Sequence, residues 1–137
     1  MIDNVKHAAR LGVPRNFLEG KLGFTHRAVK APDEATSDMC VLAYRDLERR
    51  APIEPSSVEL LCVVTQNPDF GIPHCAAIVH EKLGLSAHCM TFDLSQGCAG
   101  YAHGLAITTS LMERLGFNVA ILFTCDPYSN IVDADDK

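Results

Sequence analysis

The sequence predicts a layered α/β fold with a mostly parallel sheet and helices on both faces. Three observations carry that expectation. First, the runs 58–65, 89–94 and 119–124 are short and rich in Val, Leu, Ile and Phe, without strict alternation. Such runs suit strands covered on both sides. Second, helical stretches fall between them, so the order from residue 58 onward is strand–helix–strand–helix–strand. Third, four segments end alike: Arg10-Leu11-Gly12-Val13, Lys21-Leu22-Gly23-Phe24, Lys82-Leu83-Gly84-Leu85 and Arg114-Leu115-Gly116-Phe117. Each puts a cation in a last helical turn, then a glycine able to turn left-handed, then an apolar residue to pack back. Their uneven spacing makes them four helix ends and not a repeat.

Taken in order, residues 2–11 open the chain as a helix. A second long helix is expected to run to Arg50, capped by Thr36 or Ser37 with Asp38, with Cys40, Tyr44, Leu47 and Ala51 on one face. The Pro- and Ser-containing loop 51–57 leads to the first core strand. Loop 66–72 follows it, and Pro73 suits the first position of a helix running to about residue 83. After the strand 89–94 a tight turn leads into a helix with Tyr101, Leu105, Met112 and Leu115 as its apolar stripe. The strand 119–124 comes last.

Composition narrows the function. The chain has 137 residues, a net charge of −5, 47% hydrophobic residues and 21% charged ones. That is enough for one domain, 1–137, with its own core, and too apolar for intrinsic disorder. No apolar run approaches the ~18 residues of a membrane span. Residues 1–15 lack the apolar core of a signal peptide, which places the protein in the cytoplasm. Residues 1–50 carry a balance of +2 and residues 51–137 one of −7. An acidic whole argues against nucleic-acid binding but allows a local basic patch. The six cysteines contain no C-x-x-C pair, which argues against a metal site and, without a secretory signal, against a disulfide framework.

One stretch carries chemistry: Phe92-Asp93-Leu94-Ser95-Gln96-Gly97-Cys98-Ala99-Gly100-Tyr101. A strand runs into a turn of small residues, and a long helix leaves it. Cys98 therefore sits at a helix N-terminus, where free N–H groups and the positive dipole end favour a thiolate. Gly97, Ala99 and Gly100 leave room for a substrate, as at a nucleophile elbow. Two readings stand here: a nucleophile, or a small residue filling a crowded strand–helix corner.

The segment Asp93-x4-Cys98-Ala99-Gly100-Tyr101 resembles the active-site segment of β-ketoacyl-acyl carrier protein synthase III, a thiolase-fold condensing enzyme. The flanks agree in order along nearly the whole chain. Leu22-Gly23-Phe24-Thr25-His26-Arg27 resembles that family's Thr-Gly-Ile-x-x-Arg segment, and Ala31-Pro32-Asp33-Glu34 the loop before its second helix. Residues 67–76 resemble its interface segment, and Cys125-Asp126-Pro127-Tyr128-Ser129 through Lys137 the segment after its fifth strand.

The resemblance implies a three-layer thiolase-like half, the N-terminal half of the family's duplicated chain. It implies that Cys98 takes an acyl group from acyl-CoA or acyl-acyl carrier protein, its backbone N–H helping to form the oxyanion hole. Decarboxylative Claisen condensation with malonyl-acyl carrier protein would follow, in fatty acid or polyketide biosynthesis. Phe17 matches an aromatic that stacks on the CoA adenine; Lys21 and Lys137 match arginines near the CoA phosphates, keeping the charge but not the bidentate fork. Ile72, Pro73, His74 and Asp93 fall at the implied homodimer interface. No cofactor or metal is implied, the thioesters being substrates. The family's catalytic His and Asn come from the second half, to which nothing here corresponds, so the 137 residues alone are expected not to condense. The family's first strand is not expected, because the chain opens in a helix. A related acyl-CoA condensing enzyme, an acyl-CoA:alcohol acyltransferase and a non-catalytic partner subunit are the alternatives.

Overall fold

The computed structural model describes residues 1–10 and 12–132. They fall into two compact units, residues 34–126 and residues 1–33 with the segment from Pro127 onward.

In the larger unit, α3 (Thr36–Arg50) precedes the central strand β3 (Leu60–Val64). Then come α4 (Cys75–Leu83), β4 (Met90–Leu94), α5 (Gly100–Leu115) and β5 (Ala120–Thr124). The sheet order is β4-β3-β5, all parallel, with Leu60 level with Met90 and Ala120, and Val64 level with Leu94 and Thr124. Every residue of β3 is buried, as its unbroken apolar run requires. Leu61 and Val63 pack with Ile121 and Phe123 against Cys40 and Tyr44 of α3 and Cys75, Ala76 and Val79 of α4. Each of the Leu, Val, Ile and Phe side chains among them contributes about 1.5–3 kcal/mol by leaving water. The opposite face carries α5, whose Gly100 and Gly104 lie against Val64 and Leu122. Helices thus cover both faces, and the expected layered α/β architecture is present. Each core strand is shorter than its apolar run by one to three residues.

In the smaller unit, β1 (Ile2–Asp3) pairs antiparallel with β2 (His26–Arg27), and α1 spans Asn4–Arg10. Residues 2 and 3 are therefore strand and not the start of a helix. Asp3 Oδ1 accepts the N–H groups of Val5 and Lys6 at 3.0 and 3.1 Å, which starts the helix later than the apolar pattern implies. The short α2 (Arg15–Phe17) continues as a π-helical turn over Leu18–Leu22.

The four Leu-Gly stops all hold. Gly12, Gly23, Gly84 and Gly116 have φ of 69, 76, 61 and 73°, values that an L side chain resists. The returning bonds of the Schellman motif run from Val13, Leu85 and Phe117 to the carbonyls of Ala8, His80 and Met112.

Four helix details differ from expectation. The cap of α3 is Ala35, whose N–H donates to Asp38 Oδ2 at 3.0 Å. Thr36 and Ser37 are spent on tertiary bonds instead: Thr36 Oγ1 donates to the Asn67 carbonyl at 2.5 Å, and the Ser37 N–H donates to Asp69 Oδ1 at 3.0 Å. On the same helix Cys40 and Tyr44 are buried, but Leu47 is exposed. Helix α4 begins at Cys75, with Pro73 before its cap residue His74 and a cis Ile72–Pro73 bond. On α5 the expected stripe is largely on the wrong face: Tyr101, Leu105 and Leu115 are exposed, while Gly100, Gly104 and Thr108 are buried. A Cβ on Gly100 would lie 2.4 Å from Val64 Cγ1, and one on Gly104 2.9 Å from both Leu122 and Val64. The helix approaches the sheet through its missing side chains, so its largest residues point away.

Candidate active site

The site lies where the three parallel strands end, the edge at which open α/β sheets commonly place ligands. Thr65 N–H donates to the Leu94 carbonyl at 3.1 Å, and Cys125 N–H to the Val64 carbonyl at 3.0 Å. Asp126 then reaches across from the end of β5. Its Oδ1 accepts the Gln66 N–H at 3.1 Å and is also hydrogen-bonded by the Asn67 side-chain amide.

The turn after β4 stands over this framework. The Gly100 N–H closes it on the Gly97 carbonyl at 2.8 Å, and the helix proper begins at Gly100 with Ala99 as its cap. Cys98 is thus next to the cap, as expected. Gln66 Oε1 lies 3.1 Å from the position a Gly97 Cβ would take, so a larger residue there would need the Gln66 amide to move by a few tenths of an ångström. Of the six thiols Cys98 alone is exposed. Cys62 and Cys89 are buried, and burial pushes the Cys62 thiol up to about 11 and the Cys89 thiol in the same direction. The arrangement presents one accessible sulfur at the start of a 16-residue helix, flanked by residues that add no bulk.

Three histidines of the larger unit are hydrogen-bonded through their rings. His103 Nδ1 pairs with Gln96 Oε1 at 3.2 Å, His74 Nε2 with Thr91 Oγ1 at 3.0 Å and His80 Nε2 with the Ser86 carbonyl at 2.9 Å. Among the described residues no group of three His, Cys, Asp or Glu side chains could hold a metal ion.

Asp93, on β4, closes the N-terminus of α4. Its Oδ2 and Oδ1 accept the Cys75 and Ala76 N–H groups at 2.6 and 2.7 Å. A carboxylate there also complements the helix dipole. His74, though the cap residue, makes no capping bond through its side chain. Asp93 and Asp69 cap from a distance, across 18 and 32 residues, a role invisible in local sequence. Ile72 is 91% exposed, beside Pro73 and His74 on the loop before α4.

Phe17 and Lys21 belong to the smaller unit, where they meet: Lys21 Nζ stands 5.6 Å from the Phe17 ring centroid, a cation–π contact. Phe17 is 40% exposed. Lys137 lies outside the described residues. Gln66 and Asp126, which link the turn after β3 to the end of β5, were not singled out in the sequence. The turn-forming run Gln66-Asn67-Pro68-Asp69 after a core strand marks the position of Gln66, whereas nothing local marks the reach of Asp126.

No family model matches the chain. Solved structures do. A 3-oxoacyl-(acyl-carrier-protein) synthase III aligns over 97% of this chain with a TM-score of 0.87 and 27% identity, covering 40% of its own length. The chain has a synthase III-like thiolase fold. The Thermus thermophilus β-ketoacyl-[acyl carrier protein] synthase III gives the same TM-score at 31% identity, over 99% of this chain and 42% of its own. A variant of OleA from Xanthomonas campestris follows at 0.71 and 29%, over 87% of this chain and 36% of its own. The chain therefore spans about two fifths of the length of the synthase III structures it matches. The synthase III-like fold accounts for the strand-end position of the Cys98 turn and for the three layers beneath it. Among the described residues no helix is long and apolar enough to cross a membrane.

Proposed function

We propose that this chain is the nucleophile-bearing part of a condensing acyltransferase of the 3-oxoacyl-acyl carrier protein synthase III type. The observation that carries the reading is Cys98, the one exposed thiol, on the turn between a parallel strand and a long helix in a synthase III-like fold. The Cys98 sulfur attacks the thioester carbonyl of acyl-CoA or acyl-acyl carrier protein. The Cys98 N–H stabilises the oxyanion as it forms; a donor of this kind is worth about 3 kcal/mol. The leaving thiolate takes up a proton, and the acyl group rests on Cys98. Malonyl-acyl carrier protein then loses CO₂ and attacks that acyl group. A base and further donors for this second step come from a segment other than these 137 residues, so they form the acyl adduct but no condensation product. Phe17 and Lys21, already in contact, and Lys137 hold the CoA nucleotide end. Ile72, Pro73, His74 and Asp93 belong to a homodimer interface in a cytoplasmic enzyme of fatty acid or polyketide biosynthesis.

A second reading, a non-catalytic partner subunit, is favoured by the exposed apolar residues of α5, Tyr101, Leu105, Ile107 and Leu115. One measurement separates the two. Incubation with a short acyl-CoA should add one acyl mass to the intact protein, and Cys98→Ala should abolish the addition. An unmodified wild-type protein, or an adduct that survives in Cys98→Ala, would overturn the enzymatic reading.

A further inference from the structure

Three of the cysteines not assigned to the proposed reaction converge in the larger unit. Cys40, on the second turn of α3, and Cys75, at the start of α4, are buried in one core cluster, and Cys125, just past β5, packs against that cluster from a partly exposed position. The Cys125 Sγ–H points at the Thr36 carbonyl, 3.7 Å away. That carbonyl belongs to the helical turn that ends at Cys40, so the Cys125 sulfur sits on the side of α3 that Cys40 occupies. Cys40 and Cys75 belong to the same buried cluster against which Cys125 packs.

We propose that Cys40 and Cys125 form a redox-active dithiol that a hydroperoxide converts into a disulfide. The two sulfurs differ in a way that orders the steps. Cys125 is the one a small oxidant reaches. The neighbouring Cys40 thiol holds the Cys125 thiol below its usual range, outweighing burial and the nearby carboxylates of Asp126, Asp69 and Glu34. A lowered thiol is the reactive one. The Cys125 thiolate attacks the terminal oxygen of the hydroperoxide. The O–O bond breaks, the alkoxide leaves and is protonated to the alcohol, and Cys125 becomes a sulfenic acid. Cys40 is held above its usual range, first by its neighbour Cys125 and then by Cys75 and burial. Oxidation of Cys125 removes the first of these causes. Cys40 then attacks the sulfenic sulfur, forming the S–S bond. Water leaves with the sulfenic oxygen, and the two thiols have given up two electrons in all. Cys75 remains a thiol. The link would sit one residue from Asp126, which braces the 66–67 turn.

The test is made on the full chain carrying Cys98→Ser, so that oxidation of the exposed thiol cannot contribute. Treatment with dilute hydrogen peroxide should lower the intact mass by two hydrogen atoms, reversibly with dithiothreitol. A non-reducing peptide map should join the Cys40 peptide to the Cys125 peptide. Cys125→Ser, checked for an unchanged melting transition, should abolish the loss. If that variant does not fold, the peptide map of the parent decides. Oxygen addition without a cross-link, a Cys40–Cys75 link or an unchanged mass would each overturn the proposal.

Discussion

Gly100→Ala tests how the nucleophile turn is held. The new Cβ would stand 2.4 Å from Val64 Cγ1 and 3.2 Å from Gln96 Cβ, against an ordinary carbon–carbon contact of about 3.5–4.0 Å. Relief needs a shift of about 1 Å from a side chain that is 4% exposed in the central strand. Val64 is β-branched and stiff at χ1, so it cannot simply swing away. Overpacking of this kind costs about 1–3 kcal/mol. Alanine returns up to about 1 kcal/mol of helix propensity, less at the first helical residue. The net expectation is a loss of about 1–2 kcal/mol. The assay is urea unfolding followed by circular dichroism, run also in a Val64→Ala background. Val64→Ala has its own cavity cost, but it removes the methyl that the new Cβ meets. Gly100→Ala should therefore cost little there, giving a coupling of about 1–2 kcal/mol. Gly20→Ala is the control, because a Cβ there meets nothing within 4 Å; it should be neutral or stabilising. A Gly100→Ala protein as stable as wild type, or an equal penalty in both backgrounds, would refute the packing argument.

Two further outcomes are expected. Asp93→Asn keeps the shape of the group that caps α4 but loses its charge and one of its two acceptors. It should cost about 1–2 kcal/mol and speed hydrogen exchange at the Cys75 and Ala76 amides, and unchanged exchange there would contradict the capping role. Lys82 and the Ala35 N–H hold the Asp38 carboxyl below its ordinary value of 3.8. Its folded-state pKa lies under its unfolded one, so its contribution is present above the unfolded value and fades as pH falls through the folded one. The pair is well exposed, at 37% for Lys82 and 44% for Asp38, so the effect should be modest. Asp38→Asn should flatten the acid limb of the stability profile, and an identical limb in both proteins would count against it.

Much of the framework was legible because it rests on local rules. A glycine after a cationic last turn has one common use, and all four such glycines take it. The apolar run of β3 reads as a doubly covered strand because burial on both faces leaves no room for alternation. The site was legible in part: Cys98 stands out because small residues, a strand end and a helix start meet around it. What stayed hidden depends on contacts far apart in sequence. Hydrophobic periodicity assigns α5 the wrong face because it counts side chains, whereas this helix packs through glycines. The starts of α3 and α4 were misplaced for a related reason. Their N–H groups are satisfied by Asp69 and Asp93, and no local pattern announces a cap that arrives from another loop or strand.

The order of the sheet has a consequence for how the protein comes into being. The central strand, β3, is made first, and its partners lie later in the chain: Leu60 pairs with Met90 and, sixty residues on, with Ala120. At a synthesis rate of about 5–20 residues per second, that second partner appears about 3–12 s later. During that interval the Leu-Leu-Cys-Val-Val segment has at most one neighbour, and its other edge is open to any exposed strand nearby. The most deeply buried strand of the finished molecule is thus the one that a nascent chain must shield longest.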